Sequence, residues 1–138
     1  MRIFLDANIL FSAVKTDGAI RRLLRLLRDA GHACQVDGYV IEEARRNLAA
    51  KAPGSDAVLH TLLQKMTIAD LHPSGPSSDA VLALAEKDRP VLAAAIRSGC
   101  EALVTGDRTH FGRFYGKTLG GVAIHSPRSL AETLLNMK

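Results

Sequence analysis

The sequence predicts an α/β protein, a three-layer α/β/α sandwich around a central and mostly parallel sheet. Short apolar runs typical of buried strands alternate along the chain with longer segments whose apolar residues recur at helical spacing. The helical segments are longer and more numerous than the strands, as expected when helices cover both faces of a parallel sheet. At 138 residues the chain has the length of one domain, which we predict to span residues 1–138.

The N-terminal half contains the first run of predicted elements. Hydrophobic spacing, caps and breakers define each of them, with Gly31 and the Pro53–Gly54 pair as the clearest stops. The predicted order is a strand over residues 2–5, a helix opened by Asp17 and Gly18, a strand over 32–36, a helix over 39–50, a helix capped by Ser55 or Asp56, and a weak strand over 68–71.

The C-terminal half begins with a polar loop over residues 72–78, the nearest feature to a linker. Two helical segments and a buried strand follow it, and the last strand leads into a helix that starts at Ser126 and Pro127. The predicted order is a helix over residues 79–86, a helix over 88–98, strands over 102–105 and 122–124, and the terminal helix.

The amino-acid composition excludes few functional classes. Hydrophobic residues make up 47% and charged residues 23% of the chain, which is ordinary for a globular protein. We expect no association with a membrane, because no apolar run approaches the length of a membrane span. Asp6 falls where an export signal needs apolar residues, and Cys34 and Cys100 lie in apolar segments without a C-x-x-C pair. These features indicate a cytoplasmic protein with reduced core thiols.

The net charge of +4 suits a partner with a phosphate backbone, but many proteins with other partners are equally basic. The positions of the arginines say more about a possible partner than the net charge does. Several lie on predicted helices, among them Arg45 and Arg46. These side chains either form a solvated helix face or bind the phosphate backbone of a nucleic acid, and the sequence leaves both interpretations open.

Acidic residues stand at positions where a parallel sheet binds ligands. Asp6 and Asp107 each follow a predicted buried strand, and the carboxyl ends of parallel strands meet at one edge of the sheet. Each aspartate taken singly has a structural explanation, because an aspartate after a strand often makes a turn or caps a helix. Asp88 can likewise be only the cap of the helix that follows it.

A choice between two neighbouring glutamates follows from helical spacing. Glu43 shares a stripe with Val40 and Asn47, beside the predicted buried face of its helix. Glu42 falls nearer Tyr39 and the two arginines that follow, where it can form an ion pair in water. The spacing therefore favours Glu43 as the residue that belongs to a site, although a solvated helix position remains an alternative for it.

Several carboxylates at one site would offer hard oxygen ligands and no thiolate. Such a set favours Mg²⁺, with Mn²⁺ able to substitute, over zinc. The histidines His60, His72 and His110 lack the spacing of a zinc site, and we interpret them as structural or surface residues. A magnesium ion orients a phosphate and helps to generate a hydroxide nucleophile, which is the chemistry of phosphodiester hydrolysis.

These motifs resemble those of the PIN-domain family over nearly the whole chain. Residues 3–10 resemble the hydrophobic-Asp-x-Asn start of the family, and residues 40–48 resemble its second motif, in which Glu43 occupies the position of the acid. The segments that begin at Asp88 and end at Asp107 resemble its third and fourth motifs and are the most specific match. Residues 122–127 resemble its last strand and helix start.

The resemblance implies a metal-dependent ribonuclease with four acids around the ion. These are Asp6, Glu43, Asp88 and Asp107. It also implies that Asn8 and Thr105 hold waters or orient the carboxylates. Arg108 directly follows Asp107, where some relatives carry further ligands, so the number of metal ions stays open between one and two.

The resemblance also implies partners. Many family members are VapC-type toxins of bacterial toxin–antitoxin pairs, with a small antitoxin protein as partner and RNA as substrate. Other members process RNA without any antitoxin. We expect a homodimer that cleaves RNA, with the toxin of such a pair as the first interpretation and an RNA-processing nuclease as the second.

Two further alternatives compete with this interpretation. A phosphatase of the haloacid-dehalogenase type also begins with an aspartate after a strand, but it needs a second aspartate where Asn8 stands and a lysine after a later strand. A PIN fold without activity, used only to bind RNA or protein, fits the fold equally well. The presence of all four acids favours the nuclease.

Overall fold

The computed structural model describes residues 1–69, 84 and 89–136 of the chain. Within these ranges six strands form one sheet in the order β3-β2-β1-β4-β6-β5. Neighbouring strands run parallel except β5, which pairs antiparallel with β6. The strands are β1 (Arg2–Leu5), β2 (Ala33–Asp37), β3 (Thr67–Ala69), β4 (Ala102–Val104), β5 (Thr118–Leu119) and β6 (Val122–His125).

Strand β1 lies at the centre of the sheet and determines where its ligand edge falls. It pairs with β2 on one side and with β4 on the other, in parallel register. Its residues Ile3, Phe4 and Leu5 are fully buried, as expected for a parallel strand covered on both faces. The chain reverses its direction of travel across the sheet between β1 and β4. Their carboxyl ends therefore flank the switch point, where α/β sheets bind ligands.

Seven α-helices occur in the described ranges, together with one 3₁₀ turn at Gly112–Phe114, and they complete the three-layer arrangement. None of these helices is long and apolar enough to cross a membrane. The helices are α1 (Ala7–Lys15), α2 (Ala19–Asp29), α3 (Gly38–Lys51), α4 (Asp56–Leu63), α5 (Arg89–Arg97), α6 (Arg108–Phe111) and α7 (Pro127–Leu135).

The predicted fold class is confirmed, and most predicted elements occur within one or two residues of their expected bounds. Helix α1 was not predicted, since the sequence pattern places a helix only after Asp17. Strand β5 and helix α6 were not predicted either. The helix predicted over residues 79–86 lies outside the described residues except for Leu84, which is buried. The polar loop over 72–78 and Asp88 lie outside them entirely.

Both cysteines are buried, as predicted for core thiols. Cys34 lies on β2 and Cys100 precedes β4, and neither forms a disulfide. Burial raises the pKa of each thiol to about 11, because the low-dielectric surroundings disfavour the thiolate. The Cys100 thiol donates to the side-chain oxygen of Gln35 at 3.5 Å. At neutral pH both residues are therefore protonated and serve as small apolar side chains.

Helix α3 is fixed to the sheet by its N-cap. Asp37, the last residue of β2, is buried, and its Oδ1 accepts a hydrogen bond from the Val40 N–H at 2.9 Å. Val40, Ala44 and Leu48 then face the core at the spacing of one helix face. The buried acid after β2 therefore has a structural explanation, which is to start α3 in the correct direction.

We predict that Asp37→Ala lowers the free energy of unfolding by about 1 kcal/mol, because α3 loses its cap. Asp37→Asn should stay close to the parent, since asparagine caps a helix as well as aspartate does. Urea denaturation of both variants measures the difference. Equal losses in the two variants would show that the charge of Asp37, and not its capping oxygen, is what matters.

Candidate active site

An open cleft of about 200 Å³ lies at the carboxyl edge of the sheet, beside the ends of β1 and β4. Three of the four predicted acids line it, namely Asp6, Glu43 and Asp107. The fourth, Asp88, precedes α5 and lies outside the described residues. The other lining residues are Ala7, Asn8, Tyr39, Asn47, Val91, His110 and Phe111.

Asp6 is the most constrained residue of the cleft. Its side chain is only 7% exposed, and its backbone N–H donates to the Val104 carbonyl at 3.1 Å, which extends the pairing of β1 with β4. Oδ1 accepts from the Ala7 N–H at 2.8 Å and thereby caps α1. Oδ2 accepts from the Thr105 hydroxyl at 2.7 Å and from the Asn8 amide at 3.2 Å. Both carboxylate oxygens are therefore held in place by hydrogen bonds, and the orientation of the carboxylate is fixed.

Thr105 connects Asp6 to Asp107. Its hydroxyl is fully buried, donates to Asp6, and accepts from the backbone N–H of Asp107 at 3.1 Å. Asn8 adds a second link, because its side-chain oxygen accepts from the Gly106 N–H at 2.9 Å. The two residues predicted to orient carboxylates therefore lie in direct contact with Asp6. Whether they also hold waters stays a prediction.

The pKa of Asp6 is raised by burial, and the charges of the other acids in the cleft contribute to the shift. Burial is the largest cause that raises the pKa of Asp6 above its ordinary value of 3.8, and the hydrogen bonds from Thr105 and Ala7 oppose it. Glu43 and then Asp107 raise the pKa further by charge repulsion. The Asp6 carboxylate therefore carries an electrostatic cost at neutral pH that a cation in the cleft would relieve.

The structure separates the two glutamates of α3. Glu43 is half-buried and lines the cleft, whereas Glu42 is exposed and lies 4.0 Å from the Arg45 guanidinium. Tyr39, which the spacing placed nearer Glu42, lines the cleft together with Glu43 and Asn47. The cleft side of α3 is therefore a stripe of residues four apart, with Glu43 at its middle.

The same helix separates the two arginines. With about 100° between successive helix residues, Arg46 lies about 60° from Glu43 around the axis and Arg45 lies about 160° away. Both are exposed. Arg45 lines a different groove, shared with Asp56 and His60 of α4. Of the two predicted RNA-binding residues, Arg46 is thus the one on the cleft side of α3.

Two residues of the site were not identified from the sequence. His110, interpreted above as structural or surface, lines the cleft, and its ring Nδ1 lies 2.6 Å from Oδ2 of Asp107. The Tyr115 hydroxyl donates to the Thr105 carbonyl at 2.7 Å. Burial is the main cause that raises the pKa of Tyr115. His110 follows Asp107 by three residues, which is the spacing between a helix N-cap and the residue that contacts it, so the sequence could have indicated this contact. No sequence pattern indicates the contact of Tyr115 with Thr105.

The donor set of the cleft fits a hard divalent cation in chemistry. Carboxylate oxygens are the ligands that Mg²⁺ and Mn²⁺ prefer, and Asp6, Glu43 and Asp107 supply them from three separate elements. Across residues 1–69, 84 and 89–136, no three acidic, histidine or cysteine side chains lie close enough together to form a compact metal site. Among the described residues, the three acids therefore line the cleft without forming a compact cluster.

The fold and the cleft together place this chain among the α/β proteins that carry an acidic cleft at the switch point of a parallel sheet. In this chain Asp6 and Asp107 flank that cleft. The model of the PIN domain family matches residues 2–109, which is most of the chain. This range includes all four predicted acids, Asp6, Glu43, Asp88 and Asp107. The chain belongs to the PIN domain family. Comparison with curated protein sequences finds no match.

Solved structures share the fold. A chain of the VapBC2 complex from Rickettsia felis, bound to a DNA fragment from their promoter, superposes with a TM-score of 0.68 at 18% identity, covering 91% of this chain and 98% of that one. VapC20 from Mycobacterium tuberculosis, a toxin that cleaves the Sarcin-Ricin loop, superposes with a TM-score of 0.55 at 13% identity, covering 85% and 98%. At these identities the likeness concerns the fold.

We predict that Asp6→Asn changes the pH dependence of stability. The raised folded-state pKa of Asp6 gives a contribution to stability that is present below 3.8 and is lost as the pH rises through the folded pKa. Asparagine does not titrate. The free energy of unfolding of Asp6→Asn, relative to that of the parent, should therefore increase from about pH 4 to about pH 7.

Urea denaturation of both proteins in chelator measures this difference. A stability difference for Asp6→Asn that stays constant with pH would contradict the electrostatic cost assigned to the buried carboxylate.

Proposed function

We propose that this protein is a metal-dependent endoribonuclease and acts as the toxin of a toxin–antitoxin pair. The observation that carries the proposal is the cleft itself. Asp6, Glu43 and Asp107 line it together, and the charges of Glu43 and Asp107 both act on Asp6. Acids gathered at this edge cost stability unless they bind a cation, so a site for a cation is the function that explains the cost.

The proposed ligands of the ion are Asp6, Glu43, Asp88 and Asp107, with Mg²⁺ as the physiological ion and Mn²⁺ as a substitute. When bound, the ion supplies a positive charge that orients a phosphodiester and lowers the pKa of a water molecule. The chain's own residues hold the acids in place. Thr105 and Asn8 fix Oδ2 of Asp6, and the cap of α3 sets the position of Glu43.

The proposal of RNA as substrate and of an antitoxin as partner is supported by the structural neighbours. VapC20 cleaves the Sarcin-Ricin loop, and the VapBC2 chain belongs to a complex bound to promoter DNA. The net charge of +4 also suits a polyanionic substrate. The proposed assembly is a homodimer in the cytoplasm with a small antitoxin protein as its partner.

The proposal is tested by incubating the purified protein with mixed RNA, Mg²⁺ or Mn²⁺, with and without chelator. We predict cleavage that chelator abolishes. Glu43→Gln should lose most of the activity, about 100-fold or more, because a ligand of the ion is lost. Asp6→Asn and Asp107→Asn should behave in the same way while they remain folded by circular dichroism.

The matched control is Glu42→Gln, one residue from Glu43, which should stay within a few-fold of the parent because its carboxylate faces Arg45 in solvent. Activity that persists in chelator would contradict the metal site. Absence of cleavage under every condition, together with RNA binding, would favour a PIN fold that only binds RNA.

The path of the RNA past the cleft is proposed to run along α3. Arg46 lies on the cleft side of this helix, where its guanidinium can contact a phosphate next to the bound segment. Arg45 is partly neutralised by Glu42 and lies on the opposite side. Of the two arginines, we therefore expect Arg46 to make the larger contribution to RNA binding.

We predict that Arg46→Ala reduces the slope of log affinity against log salt by about 0.7, the value of one phosphate contact on a single strand. Arg45→Ala, the matched control, should leave the slope close to that of the parent. Fluorescence anisotropy with single-stranded RNA in chelator measures binding without cleavage. Equal effects of the two substitutions would indicate that the arginines act through net charge alone.

A further inference from the structure

His110 contacts both oxygens of the Asp107 carboxylate. Its backbone N–H donates to Oδ1 at 3.2 Å, and its ring Nδ1 lies 2.6 Å from Oδ2. An ionised carboxylate can only accept hydrogen bonds, so the ring presents Nδ1–H to it. One residue therefore fixes both the position of Asp107 and the rotation of its carboxylate about the last side-chain bond.

Capping of helix α6 does not require the ring. An N-cap aspartate needs one oxygen on a backbone N–H, and Oδ1 of Asp107 already has that bond. Asp37 provides the comparison within this chain, because it caps α3 in the same way. The residue three positions after Asp37 is Val40, which has no side-chain donor. The ring contact is thus a feature that Asp107 has in addition to its cap.

The contact lies within the cleft and not on a remote surface. His110 and Asp107 both line it, and their side chains are 29% and 28% exposed. The backbone N–H of Asp107 continues the connection to the Thr105 hydroxyl, which donates to Asp6. A chain of hydrogen bonds therefore runs from His110 through Asp107 and Thr105 to Asp6.

We propose that His110 is a positioning residue that holds the Asp107 carboxylate in the orientation that binds the divalent cation. The inference rests on the metal site of the proposed function and adds a residue to it. A carboxylate that binds a metal loses rotational freedom, and a neighbouring donor that has already restricted this freedom lowers the cost of binding. The ring contact of His110 meets that requirement for Asp107.

The test is the affinity of the RNA-free protein for Mn²⁺, measured by calorimetry. His110→Ala should weaken Mn²⁺ binding by about 10-fold or more, because an outer partner of a ligand is lost. Its melting temperature in chelator should change little, since the backbone N–H still caps α6. His110→Asn keeps an N–H donor close to the place of Nδ1 and should restore most of the affinity. His60→Ala, in the exposed part of α4, is the control and should bind as the parent does.

Each outcome of this experiment is informative. Mn²⁺ affinity of His110→Ala within about twofold of the parent overturns the positioning role, as does equal weakening by His110→Ala and His110→Asn. If His110→Ala melts at a much lower temperature than the parent in chelator, and its loss of Mn²⁺ affinity follows from its being partly unfolded, His110 serves stability alone and the positioning role is overturned. A parent protein that binds no Mn²⁺ overturns the metal site of the proposed function and, with it, this inference.

Discussion

The hydrogen bond from the Thr105 hydroxyl to Asp6 is the contact on which the arrangement of the site depends. It joins the ends of β1 and β4, the two strands on either side of the switch point, through side chains and in addition to the backbone bond from Asp6 to Val104. Burial makes this bond valuable, because a carboxylate that is 7% exposed has little water to replace a lost donor. Thr105 also orders Asp107, so one hydroxyl fixes two of the three acids that the described cleft contains.

The central strands and most helices could be predicted because burial leaves a clear pattern in the sequence. Strand β1 is a continuous apolar run, and α2 has an apolar face that ends at a glycine with positive φ, Gly31. Helix α1 was missed because it follows β1 after a single residue and is buried at five of its nine positions. Its apolar residues therefore continue the apolar run of β1, and the three polar residues on its open face, Asn8, Ser12 and Lys15, were too few to mark the change of element.

Strand β5 was missed although the sequence carries a signal for it. Gly120 and Gly121, both with positive φ, separate β5 from β6, and a two-glycine connection between strands is typical of a tight hairpin. The two-residue length of β5 hides its alternation. Helical spacing indicated correctly that Glu43, and not Glu42, lies on the cleft side of α3, while the role of Glu43 in a site stays a prediction. Contacts such as Tyr115 with Thr105 depend on the path of the loop after α6, which no periodicity encodes.

The order of the strands has a consequence for the order in which the molecule folds. Asp6 and Thr105 are 99 residues apart in the chain, and the hydrogen bond between them forms only when β4 pairs beside β1. During synthesis the N-terminal segment that carries Asp6 and Glu43 leaves the ribosome long before Thr105 does. The acidic cleft is therefore absent from the nascent chain. Contacts of this sequence separation also slow folding, so we expect the cleft to form after the local helices.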